Sequence, residues 1–261
     1  MKLMDLADAL NKESEKFGLR INYSKTKIMP ITRKQGPWQQ LVIEGKEVEM
    51  VRSFKYLGSE IKAEGGIDAE IKRRKALAGS AFQRLKEKIF KRHDISLKTK
   101  IRVLNAFVIP VLLYGSETWA LTQTMAKSLD ALENSWLRRI LRISYKEHTT
   151  TDSIRQRTGQ TFVSKIIQKR RLKWAGHMLR MEEHRAAKMS WRYYPQGRRP
   201  RGRPRTRWKD CLENDLKAAG LSLQGKTTGR NRKTLEEVAS DRVMWRQVIE
   251  ASLAGNSCLM N

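Results

Sequence analysis

Apolar positions along the chain change their spacing twice, and each change predicts a different kind of element. Leu3, Leu6, Leu10 and Phe17 fall near one face of a helix, and Gly18 is placed to end it. The run LRINYSKTKIM alternates around a polar centre, as two short strands and a turn would. LVIEGKEVEMV repeats that design with Gly45 and Lys46 at the turn, so residues 19–58 are predicted as a small antiparallel sheet. After Gly65 and Gly66 the period becomes helical. Ile67, Ile71, Ala78, Phe82, Leu85 and Ile89 share one face, with Lys72, Arg73, Arg74, Lys75, Lys86 and Lys88 around it.

A second apolar run, Ile101, Leu104, Val108 and Leu112, contains Pro110, which is expected to kink or end its helix. Met125, Leu129, Leu132, Trp136, Ile140 and Ile143 make a third. Three amphipathic helices joined by short connections imply a small bundle with a basic exterior. Beyond Lys146, Val163, Ile167, Trp174 and Met178 keep helical spacing. Arg170 and Arg171 stand where another apolar pair would be, so this helix is expected to bury only half a turn at a time. A short helix follows from Trp208 to Ala219, then a polar GKTTGRNR linker. A last helix opens on a capping box, Thr234 with Glu237, and carries Leu235, Val238, Trp245 and Ile249 on one side. The fold class expected is mainly α, with a small N-terminal antiparallel β-hairpin sheet. The divisions are residues 1–62, a helical bundle at 63–147 and a basic C-terminal segment at 148–261.

Charge sharpens this picture. The net charge is +27, and residues 148–209 hold 18 basic against 3 acidic side chains, an excess of 15. Such a density repels itself unless a polyanion neutralises it, which makes nucleic acid the leading partner and an anionic membrane surface the second. The stretch QGRRPRGRPRTRWKD, residues 196–210, is the most concentrated part. Arg199 precedes Pro200 and Arg203 precedes Pro204, so both are biased to extended backbone. Gly202 would let the strand approach a groove floor while Arg201 and Arg203 reach sideways, as arginines do in a narrow minor groove. RPRGRPR resembles the AT-hook, a DNA minor-groove motif; phosphate tracking by a disordered arm is the equal alternative. Trp174, Trp191, Tyr193, Tyr194 and Trp208 lie among the cations, where rings can stack on unpaired bases. For Trp174 a core role at helical spacing is the stronger reading.

Candidate chemistry is sparse. Cys211 and Cys258 are too few and too far apart for a disulfide framework or zinc site, and a reducing compartment fits them. MKLMDLADAL has Asp5 and Asp8 where a signal peptide needs an apolar run, and VIPVLLYG is too short to span a bilayer. Asp210, Asp215 and Lys217 loosely echo a restriction-like nuclease set, but they read as a helix where that family uses strands. Glu182, Glu183 and His184 form a hydrophilic cluster without a partner. Neither a Gly-rich phosphate loop nor a nucleophile motif is present.

GLRINYSKTKIM, FKYLGSEI, VLLYGSETWAL, GRPRTRWKD and SDRVMWRQVI occur in that order in the chain, which thereby resembles the C-terminal part of reverse transcriptases from non-LTR (LINE-type) retrotransposons. The resemblance runs from about residue 3 to about residue 251. It implies a remnant of the polymerase palm at residues 1–62, a thumb at 63–147 and a nucleic-acid-binding tail beyond. Lys25 and Lys27 match the late-palm lysines that approach the incoming nucleotide. Tyr56, Leu57, Gly58 and Ser59 match the hairpin that contacts the primer end.

The family's Ala-Asp-Asp motif, which binds the catalytic metals, would lie before Met1. Ala7-Asp8 lacks the second aspartate, and the family's endonuclease would also lie upstream. The zinc knuckle of some lineages has no counterpart here. The resemblance therefore implies a chain that holds no cofactor of its own, although the intact parent polymerase uses magnesium. It is expected to bind RNA template, RNA–DNA hybrid or target DNA without polymerising, in a nuclear or cytoplasmic ribonucleoprotein. The nucleic-acid contacts are assigned to Lys72, Arg73, Arg74, Arg170, Arg171, Lys173, Arg198, Arg199, Arg201, Arg203, Arg205, Arg207, Trp208 and Lys209.

Overall fold

The computed structural model describes residues 3–31, 42–43, 45–144, 146–193, 204–223 and 234–254. It is mainly helical with small β-hairpins, and it forms two compact units, 3–73 and 74–254.

In the first unit, helix α1 spans Leu3–Glu15, and Gly18 follows it with φ 71°. Its apolar stripe faces solvent: Leu3, Leu6, Leu10 and Phe17 are all exposed, and Asn11 is the residue the helix buries. LRINYSKTKIM does not form two strands. The Asn22 carbonyl accepts from both the Lys25 and Thr26 amides, at 3.0 and 2.9 Å, and its side chain accepts from Lys25 as well, so residues 22–26 curl into a turn. Strand β1 is Lys27–Ile28 alone. Strands β2 (Val42–Ile43) and β3 (Lys46–Glu47) make the expected hairpin about Gly45, whose φ is 73°. Strand β4, Glu49–Met50, pairs with β1 in parallel, not as part of one antiparallel sheet. Strands β5 (Ser53–Tyr56) and β6 (Ser59–Lys62) are antiparallel, joined by Leu57 and Gly58 at φ 45° and 79°, the two positive angles of a type I′ turn. Among the unit's described residues, Ile43, Val48, Ala63 and Ile71 are the buried apolar side chains.

Helix α2, Asp68–Leu85, contains the boundary after Arg73 and widens into a π-helical turn at Lys86–Phe90. In the second unit, Ser96 caps helix α3 (Leu97–Val103) by accepting from the Thr99 amide. A second π-turn, Leu104–Val108, leads into helix α4 (Ile109–Leu112). Pro110 therefore does not end the helical run: it sits in the first turn of α4, where its missing N–H costs nothing, and the π-turn supplies the change of geometry before it. Helix α5, Gln123–Leu141, is capped by Thr122 and closed by Arg142 at φ 60°. Phe82 stacks on Phe90 and Trp136, with ring centroids 4.7 and 5.5 Å apart, joining α2 to α5.

Helix α6 (Thr151–Thr158) follows α5 in the second unit. Helix α7 (Val163–Leu179) buries Val163, Ile167, Arg171, Leu172, Ala175, Gly176, Met178 and Leu179, far more than half a turn. Helices α8 (Ala186–Arg192) and α9 (Trp208–Lys217) pack against it. The last predicted helix is two, α10 (Leu235–Ser240) and α11 (Arg242–Ala254). Asp241 breaks them with ψ 110° and caps the second, its carboxylate accepting from Val243 and Met244. Leu172, Leu179, Leu212, Leu216, Val238 and Trp245 form the centre of this C-terminal core.

Candidate nucleic-acid interface

The cations named from sequence fall into three groups. Lys72, Lys173, Arg205 and Arg207 are exposed. Arg73, Arg74, Arg170, Arg171, Trp208 and Lys209 are engaged in the fold. Arg198, Arg199, Arg201 and Arg203 lie outside the described residues, as do Tyr194 and Cys258.

The engaged group is held by specific contacts. Arg73 donates to Glu70 at 2.9 Å and to the Gly58 carbonyl. Arg74 is buried, with its guanidinium 4.2 Å from the centre of the Tyr114 ring. Arg170 donates to the Leu113 carbonyl at 2.6 Å. Arg171, 5% exposed, donates to Asp215 at 2.7 Å and to the Trp119 carbonyl at 3.0 Å. The Trp208 indole donates to the Glu117 carbonyl at 2.7 Å, and the Cys211 thiol lies 3.4 Å from the Leu121 carbonyl.

Four side chains, two from α7 and two from α9, thus bind four carbonyls of residues 113–121, the stretch that contains YGSETWAL. Loops must satisfy their backbone polar groups when buried, and here the arginines, an indole and a thiol do so. Composition marks these residues as basic and aromatic; only the tertiary structure shows that they clasp a loop.

The same holds for the aromatics. Trp191 and Trp208 meet edge to face at 6.2 Å, and the Lys209 ammonium lies 4.8 Å from the Trp191 ring centre and donates to the Trp191 carbonyl. Burial, then the charge of Arg207, lowers the Lys209 pKa. Trp174 is half-buried, its ring 5.7 Å from His177, while Tyr193 is exposed.

In the first unit Tyr56 and Leu57 are exposed at the β5–β6 tip, with Gly58 and Ser59 beside them. Lys25 is exposed in the turn, and Lys27 pairs with Glu49 across the parallel strands.

The acidic candidates have structural duties. Asp210 accepts from the Arg207 amide at 2.8 Å, capping α9, and Asp215 is buried against Arg171. Burial pushes the Asp215 carboxyl pKa up against the pull of Arg171, and burial likewise raises the Cys211 thiol. Among the described residues no group of three or more His, Cys, Asp or Glu side chains is placed to hold a metal ion, and Asp8 on α1 has no second aspartate in its motif.

A cavity of about 400 Å³ in the second unit was not singled out by spacing. Phe82 and Phe90 line it together with Lys86, Lys91, Arg139 and Arg142; His93 completes it. A sequence signal existed in the cations at both ends, Lys86 to His93 and Arg138 to Arg142, but they lie about 50 residues apart.

Among the described residues no helix is long and apolar enough to cross a membrane. The chain is 27% identical over 254 residues to a transposon-derived protein of Caenorhabditis elegans, with 94% of this chain and 87% of that protein covered. That similarity supports a transposon origin. No protein-family model and no solved structure matches the chain.

Proposed function

We propose that this chain is the late palm, thumb and C-terminal segment of a non-LTR retrotransposon reverse transcriptase, and that it grips RNA, RNA–DNA hybrid or target DNA through the thumb and the arginine-rich segment. The observation that carries this reading is the ordered set of five motifs, in a chain similar along 94% of its length to a transposon-derived protein. Excess positive charge with Lys72, Lys173, Arg205 and Arg207 exposed gives it physical support, because phosphate neutralisation drives such binding. Magnesium belongs to the intact polymerase, whose Asp-Asp pair this sequence lacks. A ribonucleoprotein in the nucleus or cytoplasm is the setting this reading implies. The cap and ion pair that occupy Asp210 and Asp215 weigh against a nuclease.

The test is a filter-binding titration of the whole chain against single-stranded RNA, RNA–DNA hybrid and A·T-rich duplex DNA, each at two salt concentrations. Tightest binding to RNA or hybrid, falling roughly three decades from low to moderate salt, is expected for 6 to 10 phosphate contacts. Tightest binding to A·T-rich duplex, lost when Arg201 and Arg203 become Ala, would transfer the function to an AT-hook-like arm. Salt-insensitive binding would overturn both.

A further inference from the structure

The helical run of residues 97–112, made of α3, the second π-turn and α4, buries Ile101, Leu104, Val108 and Leu112 on its inner side. Its outer side is of another kind. Lys98, Arg102, Phe107 and Pro110 are exposed, and Tyr114 follows just past the last turn. Phe107 is 62% exposed and Tyr114 49%. Large apolar side chains are ordinary on a surface one at a time, but here two rings follow two cations along one run. Residues 95–116 contain no Asp or Glu. Neither Lys98 nor Arg102 has an ion-pair partner among the described residues, and Asp94, just before the run, is paired with Arg92. Lys100 differs: it is buried and donates to the Arg92 carbonyl, away from this face.

The rings are held in place before any ligand arrives. The Arg74 guanidinium, itself buried, lies 4.2 Å from the Tyr114 ring centre and backs one face of it, so the exposure of Tyr114 belongs to its opposite face and edge. The Leu113 carbonyl just before it accepts from Arg170 at 2.6 Å and from the Ser116 amide at 3.2 Å, and Gly115 turns the chain at φ 69°. Phe107 belongs to the π-turn Leu104–Val108, a geometry that occurs often at functional sites. Aromatic groups fixed in this way give up little freedom when a ligand stacks on them.

At a helical rise of about 1.5 Å per residue, Lys98 to Tyr114 covers about 24 Å, and Phe107 to Tyr114 about 10 Å. A stacked strand carries a phosphate about every 3.4 Å, so the face spans roughly seven nucleotides. We infer that the outer face of residues 98–114 is a track for single-stranded nucleic acid, on which unpaired bases stack against Phe107 and Tyr114 while phosphates meet Lys98 and Arg102. This rests on the nucleic-acid reading above and gives it a site that takes unpaired bases. Charge selects the occupant. A second copy of this chain, at +27, would bring the same cations to the face, and an apolar segment would leave Lys98 and Arg102 without a counter-charge. A duplex hides its base faces, whereas a single strand offers them, and stacking tolerates any base.

The test compares the full-length chain with a ring variant, Phe107→Leu/Tyr114→Leu, which keeps apolar bulk without an aromatic face, and a charge variant, Lys98→Gln/Arg102→Gln. Phe17→Leu, at an exposed aromatic of the first unit, is the control. Circular dichroism melts establish that the four fold alike; if the ring variant melts early because Arg74 has lost its partner, Phe107→Leu alone replaces it. The probes are labelled ten-nucleotide strands of thymidylate and of uridylate and a ten-unit abasic deoxyribose-phosphate strand, followed by fluorescence anisotropy. Sedimentation reports the oligomeric state, and A·T-rich duplex and RNA–DNA hybrid are titrated beside them.

The track predicts that wild type and control bind thymidylate roughly tenfold or more tighter than the abasic strand, and that the ring variant loses this preference while holding the abasic strand as before. Phe107→Leu alone should lose roughly threefold of it. The charge variant should weaken both strands alike and reduce the slope of log affinity against log salt by about 1.4, for two phosphate contacts on a single strand. The tighter of thymidylate and uridylate identifies the strand as DNA or RNA. An undiminished base preference in the ring variant, or none in the wild type, would overturn the inference. A wild-type dimer that the ring variant turns into a monomer would give the face to a second copy and overturn it too. Base preference lost in the ring variant, in a chain that holds A·T-rich duplex more tightly than RNA or hybrid, would leave the track standing and sink the polymerase reading, so the two ideas fail separately.

Discussion

Trp245 lies across the backbone of Gly176: a Cβ added at Gly176 would come within 2.2 Å of the indole nitrogen. That nitrogen donates to the Leu172 carbonyl at 2.9 Å, so the ring is pinned against α7 from two directions. In a helix, replacing glycine by alanine ordinarily gains about 0.5–1 kcal/mol. Here the added methyl must displace a buried, hydrogen-bonded tryptophan, and overpacking costs about 1–3 kcal/mol before the lost hydrogen bond is counted. The clash wins. Gly176→Ala is expected to lower the urea midpoint of the chain by an amount equivalent to about 2 kcal/mol; an unchanged or higher midpoint would show that α11 does not seat on α7 in this way.

The two partners of that contact also show what sequence could and could not tell. Helical spacing identified Trp245 as a core residue of the last helix, because apolar periodicity is a local signal. Nothing local marks Gly176 as a seat for it, since the two are 69 positions apart. The same limit explains the basic residues. Arg171 and Lys173 look alike in sequence, yet one is buried against Asp215 and the other is exposed, because their Cα directions differ by about 200° around α7. The split at Asp241 was concealed by an uninterrupted apolar pattern that either one helix or two could produce. The apolar stripe of α1 was legible as a helix face, but its exposure depends on what packs beside it, which periodicity does not encode.

The contrast between Arg171 and Lys173 yields paired expectations. Arg171→Met strands the buried Asp215 carboxylate and frees the Trp119 carbonyl, which should destabilise the chain by about 3–5 kcal/mol. Lys173→Met should change stability by no more than about 0.5 kcal/mol. In RNA binding Lys173→Met should reduce the slope of log affinity against log salt by up to about one, as loss of a phosphate contact does. Denaturation midpoints and salt titrations on both variants check this; an Arg171→Met chain of normal stability would remove the loop clasp from the account.

Glu133 and Arg155 form a second buried pair, at 2.7 Å, in which Glu133 Oε1 and Arg155 Nε have no hydrogen-bond partner among the described residues. Burial raises the Glu133 pKa above its ordinary value despite the opposing pull of Arg155. The folded protein therefore holds this proton at pH values where the unfolded chain has released it. Its contribution to stability is fully present below the unfolded pKa and is lost as pH rises through the raised folded value. Measured against a Glu133→Gln variant, which cannot titrate there, the wild-type advantage should shrink as pH climbs from about 4.5 toward neutrality. An advantage that grows over that range would mean the ion-pair attraction outweighs desolvation.

Leu57 stands at φ 45° in the β5–β6 turn while 75% of its side chain is exposed. A left-handed backbone costs a residue such as leucine roughly 1–2 kcal/mol, whereas asparagine tolerates it and is favoured at this position of a type I′ turn. Neither burial nor turn geometry accounts for a leucine here, and strained exposed residues concentrate where a surface is used. Leu57→Asn should therefore raise the melting temperature of the chain, by an amount equivalent to about 0.5–1 kcal/mol. If the tip contacts a primer end, the same variant should bind a recessed RNA–DNA hybrid less tightly while binding unrecessed hybrid unchanged. Greater stability with equal affinity for both hybrids would make the leucine a tolerated misfit and withdraw the tip from the interface. Lower stability would show that Leu57 is held in place by packing, and the turn would then be a structural element of the hairpin.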